Sequence, residues 1–131
     1  MAIQSIIQRD SGIVQTTCTG IITIQDIIEY QEDIWINGNV TGFHEIFNAQ
    51  EGDFSGLSMP DVFEISQHAI QINKNISESK LAFVVHPGEQ EKMVKFYSST
   101  QEINSDSHRT IRAFHQLADA LSWVRNETTL G

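Results

Sequence analysis

A single cysteine, Cys18, stands in 131 residues, so no disulfide can close within the chain and no paired-cysteine metal motif is present. Basic residues are scarce, 8 against 17 acids, for a formal net charge of −9. That balance repels phosphate backbones and anionic lipid, which argues against nucleic acid as a partner and against stable membrane association. Long apolar runs are missing too: the longest, Leu81 to Val85, is far too short to span a bilayer. The N-terminal "MAIQSIIQRDSG" has no basic lead followed by an apolar stretch, so the expectation is a chain without a signal peptide, placed in the cytoplasm. No repeat, low-complexity tract or linker interrupts it.

What remains is a chain with 40% apolar residues, enough for one folded domain over 1–131. "IQSIIQ" and "IVQTTCT" are β-branched runs joined through Gly12, and predict an antiparallel hairpin. In "GIITIQDIIEYQEDIW", Thr23 and Asp26 form a capping-box pattern, and Ile24, Ile27, Ile28, Ile34 and Trp35 fall near one helical face. "FHEIFN" predicts a third strand. After it, Ser58 with Asp61 again has capping-box spacing, Pro60 suits the first helical position, and Val62, Ile65, Ala69, Ile72 and Ile76 mark a second amphipathic helix. "KLAFVV" predicts a strand covered on both faces. Met93, Phe96 and Tyr97 suggest a third helix, "RTIRAF" a strand nearer an edge, and Gln116 to about Asn126 a last helix. The expected architecture is therefore α/β in the order ββαβαβαβα: a mixed, largely parallel five-stranded sheet with an N-terminal antiparallel hairpin and four helices.

Four stretches carry a resemblance to the STAS superfamily, and within it to the SpoIIAA-like branch of small stand-alone bacterial proteins related to anti-sigma-factor antagonists. "TGIITIQDIIEYQ" looks like its turn from strand into first helix. "FHEIFNAQ" followed by "LSMPDVFEIS" looks like its third strand and second helix, and "SKLAFVV" like its central strand. "RAFHQLADALSWV" is similar to its closing segment, at Phe114, Ala120, Leu121, Trp123 and Val124. The resemblance implies the fold and a class of proteins that bind and regulate rather than catalyse.

Within that class, a hydroxyl just before the second helix carries a phosphate. "DFSGL" places Ser55 there, with Ser58 close by, so both are phosphorylation candidates. A phosphate at that point would meet a helix N-terminus, but Phe54 replaces one hydroxyl residue of the motif, and Glu51 and Asp53 would repel it. Ser58 as a plain N-cap is the competing reading.

Other chemistry has thinner support. Asn48, His86 and His115 follow strands three, four and five, where α/β sheets gather ligands. A hydrolase-like arrangement of Ser55, His86 and Asp53 can be drawn, yet there is no nucleophile-elbow motif and no glycine-rich phosphate loop. His44, His68, His86, His108 and His115 lack metal-binding spacing, and no metal or cofactor is expected. Cys18, Trp35 and Trp123 read as packing residues. More suggestive is an excess of apolar side chains around the 50–59 loop and second helix: Phe54, Leu57, Met59, Phe63 and Ile70. These, with Asn48 and His86, form the expected binding site for a protein partner or a small apolar ligand. The opening hairpin offers an edge for a homodimer.

Overall fold

The computed structural model describes residues 2–73, 78–103 and 109–126. Strand β1 (Ile3–Gln8) turns through Gly12, at a φ of 69°, into antiparallel β2 (Ile13–Cys18). A two-residue strand β3 (Gly20–Ile21) precedes helix α1 (Ile24–Tyr30). The Thr23 hydroxyl accepts from the Asp26 N–H at 3.1 Å while the Asp26 carboxylate accepts from the Thr23 N–H at 2.9 Å, the reciprocal cap expected of that pair. The helix then widens into a π-helical segment, Gln31–Ile36, which no periodicity in the sequence announced. This extra turn carries Trp35 into the core.

Strand β4 (His44–Asn48) is followed by a second two-residue strand, β5 (Gly52–Asp53), which pairs in parallel with β3. Helix α2 (Met59–Asn73) leads to β6 (Ser79–Val84), α3 (Glu89–Ile103), β7 (Arg109–Phe114) and α4 (Leu117–Val124). Ser58 caps α2: its hydroxyl accepts from the Asp61 N–H at 3.2 Å, and its own N–H donates to the Asp61 carboxylate at 2.9 Å. Pro60 is thus the second helical residue rather than the first, still within the turn whose N–H groups have no helical acceptor. The expected Ile76 on this helix lies outside the described residues.

The main sheet has the order β1-β2-β4-β6-β7, with only the β1–β2 pair antiparallel. Strands β4 and β6 lie inside it, and their alternation sorts side chains onto two buried faces. Ile46, Ala82 and Val84 face α4, where they pack with Ala120 and Val124. Phe47, Leu81 and Val85 face the other way, toward α1, α2 and α3. Among the described residues, no helix is long and apolar enough to cross a membrane.

Candidate functional site

Between the sheet and the three helices on its larger face lies a cavity of about 110 Å³. Its floor is the row Phe47 and Ala49 of the β4 segment beside Leu81, Phe83 and Val85 of the β6 segment. Helix α2 contributes Val62, Ile65, Ala69 and Ile72, the stripe that 3.6-residue periodicity turns inward. Helices α1 and α3 close the sides with Ile27, Met93, Val94 and Tyr97, and Phe54 and Leu57 cover one end from the loop. Three tilted or edge-to-face aromatic contacts, Tyr30 to Phe47 to Phe83 to Tyr97, run along it with centroids 5.6–5.7 Å apart.

The covering loop is held at its base by two glutamines. Gln50 Nε2 donates to the carbonyls of Val85 and His115, at 3.1 and 2.9 Å. Gln90 Nε2 donates to those of Ala49 and Gly52, at 3.0 and 3.3 Å, while its Oε1 accepts from the His86 N–H. Gly52 has no room for a side chain: a Cβ there would sit 2.8 Å from the Phe54 ring and 3.1 Å from the Cβ of Cys18. That close approach seats the Phe54 ring over the cavity.

The opposite end of the cavity is polar. Glu45 accepts from the Tyr30 hydroxyl at 2.7 Å through Oε2 and from Arg109 Nη1 at 2.7 Å through Oε1. The Tyr30 oxygen in turn accepts from Thr16 Oγ1 at 2.9 Å and from Trp35 Nε1 at 3.0 Å. Arg109 also donates to Ser79 Oγ and to the Phe43 carbonyl, and its guanidinium lies 4.6 Å from the centre of the Trp35 ring. Both charged side chains are almost wholly shielded from solvent. Burial, then the neighbouring Glu45 carboxylate, pushes the Tyr30 phenol well above its ordinary value, so it stays a donor. Asn73, the last residue of α2, also lines the cavity and is 6% exposed.

Of the residues expected at the site, Phe54 and Leu57 lie on the cavity. Met59 and Phe63 point outward, 41% and 48% exposed, and Ile70 is half-buried outside the lining. Asn48 closes a local turn, its Oδ1 accepting from the Gln50 N–H at 3.2 Å. His86 is exposed at the end of β6, and no hydrogen bond joins its ring to Ser55 or Asp53 among the described residues. Asp53 instead accepts from the Ser55 N–H at 2.9 Å, and its carboxyl is held below the usual range first by the Ser55 side chain and then by that backbone bond. A drawn Ser55–His86–Asp53 relay therefore has no geometric counterpart. The chamber beneath the strand ends is apolar rather than the polar pocket such a relay needs.

The remaining histidines are dispersed. His44 Nδ1 accepts from the Lys80 N–H, His68 meets Gln31, and His115 meets Glu91. His108 lies outside the described residues. Among those described, no three of His, Cys, Asp and Glu come together as a metal site. Glu45, Arg109, Tyr30 and Asn73 were not visible as a cluster in the sequence. The one available signal was a charged residue near the start of each strand, Glu45 in β4 and Arg109 in β7.

No family model matches this sequence, and no curated protein matches it either. Among solved structures, it is similar to an uncharacterised protein from the DUF3478 family with a SpoIIAA-like fold, from Shewanella loihica PV-4. The two share 16% sequence identity and superpose with a TM-score of 0.63 over 94% of each chain. At that identity the likeness is one of fold: the chain has a mixed α/β, SpoIIAA-like architecture.

Proposed function

We propose that this chain is a non-catalytic STAS-like binding module that takes a small apolar ligand into the cavity beneath the 50–59 loop and α2. The observation that carries the reading is the cavity itself. Close-packed interiors leave few voids larger than a water molecule, because an unfilled apolar space forfeits dispersion contacts on all its walls. A space of about 110 Å³ approaches the roughly 150 Å³ apolar cavity that is known to bind benzene in an engineered protein. Phe54 and Leu57 line it from a loop anchored at its base, and the space is partly open to solvent. The SpoIIAA-like fold agrees with a role in binding, by analogy alone.

Native mass spectrometry on protein purified from its own host tests this reading. The expected spectrum contains a bound organic mass that is lost on denaturation and is absent from Ala69→Phe, which fills the cavity from α2. A ligand retained by Ala69→Phe would place binding elsewhere on the molecule.

A further inference from the structure

The chemical class of the ligand follows from the polar end of the cavity, and this inference rests on the binding reading above. We infer that the cavity selects an uncharged amphiphile: a compact apolar body bearing one neutral hydrogen-bonding group, read by the Asn73 side-chain amide.

Asn73 carries the argument. It is 6% exposed, it lines the cavity, and its amide makes no side-chain hydrogen bond among the described residues. Buried polar groups are almost always partnered, because leaving one unmade costs its full desolvation penalty. Among the other polar side chains of the lining, Tyr30, Glu45, Arg109, Gln31 and Gln90 hydrogen-bond protein partners, while the Tyr97 phenol, like the Asn73 amide, makes no hydrogen bond among the described residues. An amide left over in the lining, carrying both a donor and an acceptor, is matched by a ligand group offering the same pair.

The topology gives the ligand a direction. Helix α2 starts beyond the carboxyl end of β4 and runs back against the strands, so Asn73 stands at the same end of the sheet as Glu45 and Arg109. Phe54 and Leu57 stand at the other. The polar group therefore points down toward Asn73 and the apolar body lies under the loop.

Charge on the ligand is disfavoured in both signs. Glu45 and Arg109 are the charged residues of the lining, and each neutralises the other at 2.7 Å. An ionised ligand would leave water for apolar walls with no unpaired counter-charge to receive it.

Isothermal titration at pH 7 with benzene, phenol and benzoate tests the inference. These probes share a ring small enough for the chamber and differ only in the attached group. The expected order is phenol tighter than benzene by about tenfold, the reverse of their hydrophobicity, with no detectable benzoate binding. Asn73→Leu is expected to abolish the phenol preference while benzene still binds. Benzene binding as tightly as phenol to the wild-type protein would overturn this inference and leave the ligand-binding reading standing. So would a phenol preference that survives in Asn73→Leu, or benzoate binding best. Failure of all three probes to bind would overturn both. The wild-type ranking decides the matter even if the variant does not fold.

Discussion

Arg109 Nη1 lies 2.7 Å from Glu45 Oε1, although 64 residues separate them and strand β6 runs between their strands. The guanidinium crosses that strand by bonding Ser79 Oγ at 3.0 Å on the way. The pair thus ties three parallel strands together at the end where the cavity turns polar. It also holds the Glu45 carboxylate where Tyr30 can reach it from α1.

A buried pair of this kind is strongly interdependent. Removing one partner by Glu45→Leu or Arg109→Met strands the other charge and is expected to cost about 3–5 kcal/mol. The double variant leaves no orphaned charge, so its loss is expected to be well below the sum of the two. Urea denaturation of the four proteins of this cycle measures the coupling. Additive losses would mean the two side chains act independently.

Gly52→Ala tests how the loop is seated. The new methyl would collide with the Phe54 ring at 2.8 Å and crowd Cys18 and Ile22. Because the ring can swing while the backbone cannot, the expected result is displacement of Phe54 from the cavity. The measurement is Phe54 side-chain NMR shifts together with ligand affinity. Both are expected to change, with a stability loss on the order of 1 kcal/mol. Unchanged shifts would show that the loop yields elsewhere.

The structure also sets an acid-side dependence. His44 is held below its ordinary pKa by burial first, and then by the nearby Lys80 and Arg109 charges. Its Nδ1 accepts the Lys80 N–H at 2.9 Å, which requires that nitrogen to be unprotonated. A lowered folded-state pKa means the unfolded chain takes up the proton more readily. Stability from this group is therefore complete above about pH 6.5 and falls as the pH drops toward the folded value. Urea midpoints between pH 7.5 and 5 are expected to decline less in His44→Asn than in the parent protein. Parallel profiles would remove His44 as the cause.

Cys18 gives the alkaline counterpart. Burial, then the Glu45 and Asp26 carboxylates, push its thiol from 9.0 up to about 12. The folded state therefore keeps the thiol neutral. Its contribution is intact below about pH 9 and lost as the pH rises from there toward 12. At pH 8 iodoacetamide is expected to leave Cys18 unmodified in the native protein and to label it promptly in urea. Equal rates would show that strand β2 opens freely.

These features differ in how far the sequence discloses them. The hairpin, the two capping boxes and the alternating strands rest on local patterns a few residues long, and each recurs in the structure where the pattern placed it. Phe54 and Leu57 were legible for a related reason: large apolar side chains in a glycine-containing loop need something to cover. Met59 and Phe63 share that character but fall on the outer side of α2, since a helix turns adjacent residues to different faces. The Glu45–Arg109 pair was illegible because strand order, not sequence spacing, brings β4 and β7 to either side of β6. Trp35 reached Tyr30 through a π-helical widening that has no periodic signature. Asn73 carries no local pattern that marks it, because its burial depends on how α2 packs against the sheet.

The most direct test of the binding account is a methyl-resolved NMR titration with benzene. Shift changes are expected at the methyls of Val62, Ile65, Leu81 and Val85, which line the cavity, with Met59 left unmoved. Changes confined to Met59 and the exposed Ile6, Ile21 and Ile36, or no change at any methyl, would contradict it.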